Sequence, residues 1–418
     1  NLVRASLAAP GPWTCIGVVY NGRYLEPLPG FPGHWADDGG PLPTTSAIDW
    51  LGRAFHRVRK DLTRIVPALS LRDALYSERM EYGLRRVVYA AQNGGRWLRS
   101  FRTRGAPRIE FRSDDILVLL DATWSVDLTG ELRRAYVAGV TIWVVINDLI
   151  PIEHPDLAPE GTPIQLDKWL RRTVPWASGM LGISRAVADA LRAHLARAGI
   201  VRGALPPPRV DHFYLGAGLD RTNARLGAME PVTAVFRGLE GNVYLVVGTV
   251  EPRKNHARIL NIFERLWSED SKTTVLIMGR LGWRSDDLAQ RIRTHPQFGN
   301  RLVWFQAASD AELDYAYRHA SALIFASSCE GFGLPLVEAM QYGLPVLASD
   351  IAVFREIGGD YPEYFEPDQE DSLHEAIRRF ELAHPLSASL DRRAQPWLSW
   401  SDSAQMLLKK VTDSADDA

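Results

Sequence analysis

The stretch of sequence that decides the fold reads Ser328-Cys-Glu-Gly-Phe-Gly-Leu-Pro-Leu-Val-Glu-Ala-Met340. It follows the short apolar run Ala322–Phe325, which has the composition of a strand buried on both faces. Gly331 and Gly333 allow close approach of the backbone, and Pro335 suits the first turn of a helix. The stretch therefore predicts a buried strand, a glycine-rich loop and a helix start.

Two carboxylates, Glu330 and Glu338, lie eight positions apart in this stretch. Glu338 falls on an otherwise apolar helix, where a carboxylate is costly unless it is paired or binds a ligand. Carboxylates accept hydrogen bonds from neutral hydroxyl groups, so this pair could hold a sugar. The alternative interpretation is a salt-bridged helix start.

A second motif, Gly248-Thr-Val-Glu-Pro-Arg-Lys-Asn-His256, follows the apolar run Val243–Val247 and opens another helix. The start of a helix attracts anions because its N–H groups have no partner within the helix and its dipole is positive there. Arg253 and Lys254 add two cations that are suited to phosphate. The motif predicts a phosphate site, with exposed basic residues at a helix start as the alternative. A phosphate-linked sugar would suit both motifs together.

Short apolar runs alternate with helical patterns from Ile116–Leu120 onward, which predicts an α/β fold with two parallel sheets. After residue 240 the helical patterns include His256–Trp267, and the predicted strands are Val243–Val247, Thr274–Met278, Leu302–Phe305, Ala322–Phe325 and Pro345–Ala348. Ser184 is the predicted N-cap of the helix Ser184–Ala198. The segment Ala204–Arg209 contains successive prolines and is interpreted as a connector, followed by a stretch without clear periodicity to Gly241. We predict domains over residues 1–230 and 231–395, and a final helix within 396–418 that returns to the first domain.

Composition limits the class of protein. The 418 residues include 48 basic and 50 acidic side chains, a balance that gives no support to a nucleic-acid binder. Two cysteines cannot build a disulfide scaffold or a cysteine-rich metal site. The longest apolar runs are far shorter than the roughly 20 residues of a membrane span, and no signal peptide is evident. These features predict a soluble protein of the cytoplasm.

The segment Leu84–Arg108 carries seven arginines and no acidic residue, interleaved with Tyr89, Trp97 and Phe101. One interpretation is a solvated basic face. The other is a surface for an anionic partner, including peripheral contact with the inner face of a membrane.

Several segments together resemble one known family. Glu330–Glu338 is similar to the E-x7-E motif of retaining glycosyltransferases with the GT-B fold, family 4 in particular, and Gly248–Asn255 resembles the version in its bacterial mannosyl- and rhamnosyltransferase-like members. Three segments, Asp121–Trp124, Asn147–Pro151 and Leu215–Gly218, are similar to conserved segments of the family's N-terminal half. Residues 350–359 are similar to a further segment of the same family. The resemblance implies two Rossmann-like domains that face each other across a cleft.

The resemblance also assigns roles to matching positions. It implies that Arg253 and Lys254 bind the diphosphate of a nucleotide sugar, that Glu330 contacts the donor sugar, and that Glu338 accepts hydrogen bonds from the ribose hydroxyls. The other implied donor-binding positions, which border the sugar, the nucleotide or its base, are Gly279, Arg280, Gln306, Ala307, Gly331, Phe332, Gly333 and Leu334.

Two departures from the family pattern stand out. Relatives usually have His-Asp where this chain has Asn147-Asp148, the pair that joins Glu330 in the implied catalytic set, and asparagine cannot take a proton near neutral pH. His154 is a candidate substitute, with a merely exposed loop histidine as the alternative. The family's first strand and glycine-rich loop are also missing from the pattern, since Leu2–Leu7 already looks like the helix that follows them and Thr14–Val19 looks like the next strand.

The resemblance implies transfer of a sugar, with retention at the anomeric carbon, from a nucleotide diphosphate sugar to a cell-surface or lipid-linked glycan. GDP-mannose is the first choice of donor. Neither a metal nor another cofactor is expected, because Arg253 and Lys254 take over the role of Mg²⁺. The alternatives are a non-catalytic GT-B partner of an active transferase, which Asn147 favours, and another nucleotide-sugar enzyme of this fold.

Overall fold

The computed structural model describes residues 6, 18–20, 25–27, 108–120, 123–203, 205–218, 230–237, 240–369, 371–384 and 394–413. The chain divides into two compact units, residues 10–111 and residues 112–418 together with 1–9. In the first unit, strands β1 (Val18–Tyr20) and β2 (Leu25–Pro27) pair antiparallel. The predicted strand Thr14–Val19 overlaps β1 at its end. The predicted helix Leu2–Leu7 and the basic segment Leu84–Arg108 lie outside the described residues, apart from positions 6 and 108.

The second unit begins with a parallel sheet whose described strands run in the order β3-β4-β5-β6. Five of the six residues of the strand Thr141–Ile146 (β4) are buried, which explains its continuous apolar sequence. Ser184 caps the helix Arg185–Arg197 (α4) as predicted, since its hydroxyl accepts from the Val187 N–H at 3.2 Å. The elements of this part are β3 (Ile116–Leu119), α1 (Thr129–Val137), β4 (Thr141–Ile146), α2 (Ile150–Glu153), α3 (Thr162–Thr173), β5 (Gly179–Gly182), α4 (Arg185–Arg197) and β6 (Arg209–His212).

Strand β6 begins at the last residue of the predicted connector Ala204–Arg209 and continues into the stretch for which the sequence shows no clear periodicity, so the sequence did not predict this strand. Residues 209–212 pair in parallel with β5, with Met180 opposite Val210. Every residue of β6 is at least partly exposed, and the strand contains Asp211 and His212. A strand with a single neighbour does not need the apolar run by which buried strands are recognised.

The rest of the unit forms a six-stranded parallel sheet in the order β12-β11-β10-β7-β8-β9. The five strands predicted after residue 240 are confirmed, and β12 is an additional short strand at the edge. The elements are α5 (Glu230–Val235), β7 (Val243–Val247), α6 (His256–Ser268), β8 (Thr274–Met278), α7 (Asp286–Thr294), β9 (Leu302–Phe305), α8 (Asp310–His319), β10 (Ala322–Phe325), α9 (Leu334–Gln341), β11 (Val346–Ser349), α10 (Ala352–Gly358), β12 (Glu363–Phe365) and α11 (Ser372–Ala383).

The order of this sheet places the two sequence motifs side by side. Strands β7 and β10 are parallel neighbours, with Tyr244 opposite Ala322 and Leu245 opposite Leu323. The Gly248–His256 motif follows β7, and the Ser328–Met340 stretch follows β10. Because the carboxyl ends of parallel neighbours lie at the same edge of a sheet, both motifs meet there.

The core of this sheet is dominated by large apolar side chains. Tyr244 lies on β7 and contacts Phe263 of α6 and Phe380 of α11, with ring centroids 5.6 and 5.9 Å apart. All three are buried. Burial of side chains of this size contributes about 1.5–3 kcal/mol each, so this core holds the motif-bearing strands rigidly.

The final helix α12 (Trp400–Thr412) contacts β6 of the first sheet and the residues just after it. Lys410 Nζ lies 2.7 Å from Asp211 Oδ2, and the Ser403 hydroxyl donates to the Tyr214 carbonyl at 2.7 Å. The chain therefore returns to residues 211–214 after completing the second sheet, while the predicted domain bounds at 230 and 395 stay a prediction. No helix among the described residues combines the length and the apolar character that crossing a membrane requires.

Candidate functional site

Arg253, Lys254 and Glu330 form a buried ion cluster between the two motif loops. Arg253 Nη1 donates to Glu330 Oε2 at 2.7 Å, and Lys254 Nζ donates to Glu330 Oε1. Arg253 Nη2 also lies 2.7 Å from Glu251 Oε1. The side chains of Glu330 and Lys254 are only 9% and 11% exposed. The alternative of exposed basic residues at a helix start is therefore wrong.

Backbone contacts hold the two loops of the cluster together. The Ser328 N–H donates to the Arg253 carbonyl at 2.9 Å, and Arg253 Nη1 donates to the Cys329 carbonyl at 3.2 Å. Asn255 adopts a left-handed φ of 56°, and its Nδ2 donates to the Ala326 carbonyl at 2.8 Å. Asparagine tolerates this conformation better than most residues. The turn thus fixes where both cations point.

The two cations of the cluster keep the Glu330 carboxylate ionised. Burial raises the pKa of Glu330, but the attraction and hydrogen bonds of Lys254 and Arg253 outweigh it and hold that pKa below its usual value. His256 is 2% exposed, and neither ring nitrogen has a hydrogen-bond partner among the described residues. Burial and the neighbouring Lys254 lower the pKa of His256 to about 3, so its ring is neutral at physiological pH.

The loop after β4 approaches the Glu330 loop closely. A Cβ atom on Gly331 would lie 2.1 Å from the Asn147 carbonyl oxygen, so only glycine fits at this position. Asp148 Oδ1 accepts from the Ile150 N–H at 3.1 Å. Burial raises the pKa of Asp148, although the Ile150 N–H and the charge of Arg253 oppose the shift. The structure thus brings Asn147 and Asp148 to the loop that carries Glu330.

A cavity of about 270 Å³ opens beside this junction. Asn147 and Asp148 line it, and Trp124 and Trp169 supply aromatic surface. Rings combined with a carboxylate and an amide are suited to a sugar, which has both apolar faces and hydroxyl edges. Sequence reasoning included Trp124 only within a family-like segment and did not single out Trp169. His154 is exposed, as its simpler interpretation predicts.

Two further contacts join the sheets near the site. The Glu356 carboxylate accepts from the N–H groups of Arg185 and Ala186 at 2.6 and 2.8 Å, at the start of α4 where helical N–H groups lack an intrahelical partner. The Ser184 hydroxyl donates to the Gly331 carbonyl at 2.7 Å. Sequence reasoning identified Ser184 only as a helix cap, and the signal for Glu356 was its place in a family-like segment from 350 to 359.

Glu338 has a different partner from Glu330. Its Oε2 accepts from the Tyr317 hydroxyl at 2.6 Å. Burial raises the pKa of Glu338 to about 7, in spite of this hydrogen bond. The salt-bridged helix start thus describes the contacts of Glu330, whereas Glu338 is paired with a neutral hydroxyl.

The remaining predicted donor-binding residues surround the same sheet edge. A Cβ atom on Gly279 would lie 1.8 Å from the Gly248 carbonyl oxygen, so the loops after β7 and β8 touch through this glycine. Phe332 is 3% exposed, and its ring packs against Tyr214 and Trp397, with centroids 6.4 and 6.0 Å away. The exposed positions of the set are Arg280, Gln306 and Ala307, while Gly333 and Leu334 are, respectively, the N-cap and first residue of α9.

Comparison with known proteins identifies relatives of this chain. A family model described as glycosyl transferases group 1 matches residues 235–397. The serotype-specific mannosyltransferase WbdA of Escherichia coli is 34% identical over 309 residues, which are 72% of this chain and 37% of that protein. The O-antigen chain mannosyltransferase B of Escherichia coli is 35% identical over 54% of this chain and 58% of its own length. The chain thus spans about two fifths to three fifths of these relatives.

Solved structures share the fold at low sequence identity. The α,α-trehalose 6-phosphate synthase from Burkholderia multivorans superposes with a TM-score of 0.53 at 14% identity, covering 73% of this chain and 72% of the synthase. Anabaena HepE in complex with UDP-glucose gives a TM-score of 0.50 at 15% identity, over 73% of this chain and 79% of HepE. These similarities show a GT-B fold with two Rossmann-like parts, as predicted.

Proposed function

This chain belongs to the GT-B glycosyltransferases of group 1, and we propose that it transfers a sugar from a nucleotide diphosphate sugar to a cell-surface polysaccharide, with retention at the anomeric carbon. The observation that carries the proposal is the buried cluster of Arg253, Lys254 and Glu330, which two neighbouring strands deliver to one sheet edge. Mannosyltransferases of O-antigen synthesis among the relatives support a glycan acceptor and make GDP-mannose the first donor to test.

In this proposal, the cations of the cluster bind the donor diphosphate. Arg253 and Lys254 lie in the turn that leads directly into α6, so the partial positive charge of the helix start adds to theirs. Both cations would also stabilise the negative charge that develops on the departing nucleoside diphosphate. With that charge neutralised by side chains, we propose that the reaction needs neither a metal ion nor another cofactor.

Glu330 and Asp148 would lie at the reacting end of the donor. Glu330 keeps both cations in a fixed position through its two oxygens. Asp148, on the facing loop, lines the cavity that contains Trp124 and Trp169, which we propose as the place of the acceptor sugar. Asn147 cannot take up a proton near neutral pH, so deprotonation of the acceptor falls to the leaving phosphate in this mechanism.

The alternative function is a non-catalytic GT-B partner of an active transferase. Asn147, in the position where relatives usually have histidine, favours it. The intact ion cluster and the close approach of the Asn147 loop to Gly331 oppose it. The two functions differ in turnover, since both allow nucleotide binding.

Calorimetry with GDP, UDP, ADP and dTDP, followed by hydrolysis and transfer assays with the matching nucleotide sugars, tests the proposal. We expect one nucleoside diphosphate to bind and its sugar conjugate to be consumed, including in the presence of EDTA. Tight binding without turnover would favour the non-catalytic alternative. A protein that binds none of the four nucleotides would contradict the proposed transferase function.

We further propose that the basic segment Leu84–Arg108 brings the protein to an anionic membrane surface, where lipid-linked glycans are located. Each exposed arginine near such a surface contributes about 1 kcal/mol, and salt screens the effect. Co-sedimentation with vesicles that contain anionic lipid, at low and high salt, tests this. Binding that depends on neither lipid charge nor salt would contradict the electrostatic mechanism.

A further inference from the structure

Tyr317 is a buried tyrosine that sequence reasoning did not single out. Its side chain is 0% exposed, and its hydroxyl donates to Glu338 Oε2 at 2.6 Å. Glu338 itself is only partly buried, and Oε2 is the carboxylate oxygen that Tyr317 binds. Tyr317 is thus fully buried behind Glu338, whose residue retains some exposed surface.

The orientation of Tyr317 is itself fixed by its neighbours. Its ring stacks on Tyr342 with centroids 5.3 Å apart and planes 9° from parallel. The Tyr342 hydroxyl donates to Asp314 Oδ1 at 2.5 Å, and Asp314 pairs with Arg318 at 2.7 Å. The Tyr317 ring, which is carried by α8, is therefore held by stacking on Tyr342 at the end of α9.

We propose that Tyr317 positions Glu338 for the ribose of the donor, holding one carboxylate oxygen so that the other accepts from the ribose hydroxyls. This inference rests on the proposed function, in which Glu338 contacts the ribose. In this proposal Tyr317 does not contact the nucleotide, and it affects nucleotide affinity through its hydrogen bond to Glu338. It also makes that affinity depend on pH, because only the ionised carboxylate accepts from hydroxyl groups on both sides.

Among the described residues, few charged groups lie near Glu338, so the groups that shift its pKa can be named. Asp310 on α8 raises its pKa, and the hydrogen bond from Tyr317 lowers it. The described strands that pack against α9, β10 and β11, carry no titratable side chain. On α10, Arg355 pairs with Asp350 and Glu356 binds the start of α4. With the pKa of Glu338 at about 7, nucleotide affinity should rise as pH increases through neutrality.

The test measures affinity by calorimetry from about pH 6 to about pH 9, a range that brackets this carboxyl. The probe is GDP-mannose, or the nucleotide sugar that binds in the panel, because its diphosphate does not titrate near neutral pH. Tyr317→Phe removes the hydrogen bond that lowers the pKa of Glu338, so the midpoint should move up by about one pH unit. Affinity should then fall by about fivefold or more at pH 7 and recover only in part near pH 9, because the ionised carboxylate is no longer held in position.

Two further variants make the test specific. Asp310→Asn removes the charge that raises the pKa of Glu338, so it should move the midpoint in the opposite direction. Tyr315→Phe removes a hydroxyl from the same helix α8, where the ring stacks on His319 instead of Tyr317, and it should leave the midpoint unchanged. Affinity for 2′,3′-dideoxy-GDP, or the dideoxy form of the nucleotide that binds, should be the same in Tyr317→Phe and the unmodified protein.

The outcomes separate this inference from the proposed function. An unchanged pH midpoint in both Tyr317→Phe and Asp310→Asn would overturn the positioning role while leaving the proposed function intact. Equal losses of affinity for the normal and dideoxy nucleotides in Tyr317→Phe would also overturn it, because they would indicate a general loss of structure. A protein that binds no nucleotide would overturn the proposed function and this inference together.

Discussion

Replacement of Arg253 by methionine removes one cation from the ion cluster and keeps an unbranched side chain in its place. In the structure the guanidinium lies 2.7 Å from both Glu330 and Glu251, and it also reaches the Cys329 carbonyl. If it binds the donor diphosphate, the loss of one charge-assisted contact should cost about 1.5–3 kcal/mol of nucleotide affinity. That corresponds to an increase of roughly 10- to 150-fold in Kd.

The same replacement should also lower the stability of the fold. Breaking a buried ion pair costs about 3–5 kcal/mol when a charge is left without a partner. Here Glu330 keeps Lys254, but Glu251, which is 14% exposed, loses its ion pair with Arg253, so the loss should lie within that range. Denaturant unfolding measures this loss of stability. It also shows whether the variant is folded under the conditions in which its nucleotide affinity is measured.

Calorimetry of nucleoside diphosphate binding is the assay. The matched control is Arg265→Met, which removes an arginine from α6, the helix that follows the Arg253 turn. Arg265 pairs with Asp371 and Glu269 on the exposed surface. The control should bind like the unmodified protein. If folded Arg253→Met also binds with unchanged affinity, Arg253 is not a donor ligand and the reasoning is refuted.

Three further expectations follow from the same geometry. Glu330→Ala should reduce turnover more than nucleotide affinity, because its proposed partner is the sugar; an equal loss of both in steady-state and binding measurements would contradict this. Glu356→Gln should lower the unfolding free energy by about 1.5–3 kcal/mol, since two backbone N–H groups of α4 lose a charged acceptor; an unchanged denaturation midpoint would show that the contact contributes nothing. Asp148→Asn should raise the thermal midpoint at neutral pH and abolish most turnover: burial raises the pKa of Asp148 above its unfolded value, so keeping it ionised costs stability. A lower midpoint would contradict that sign.

Local sequence patterns predicted most of the regular elements. The helix predicted over His256–Trp267 extends from His256 to Ser268, and the strands Val243–Val247 and Thr274–Met278 match their predicted bounds. These elements follow from periodicity and from apolar runs, which are properties of neighbouring residues. The polar, half-exposed β6 and the short β12 carry no such signal.

The sequence also indicated the chemistry of the candidate site. Arg253 and Lys254 at a helix start and Glu330 in a glycine-rich loop were identified from residue type and spacing, together with the family resemblance. Their mutual contacts could not be predicted in the same way. They depend on β7 and β10 being neighbours in the sheet, although the segments between these strands build two other strands.

What the sequence by itself determined, therefore, is which segments form strands and helices and which residues carry charge at their ends. The tertiary structure alone decided which of those charges meet. Lys254 and Glu330 are 76 positions apart, and Arg185 and Glu356 are 171 apart. Tyr317 on α8 became the partner of Glu338 on α9 because the fold brings their side chains within 2.6 Å. The physical reason is that such contacts follow from sheet order and helix packing, which sum over the whole chain and leave no mark in a local stretch of residues.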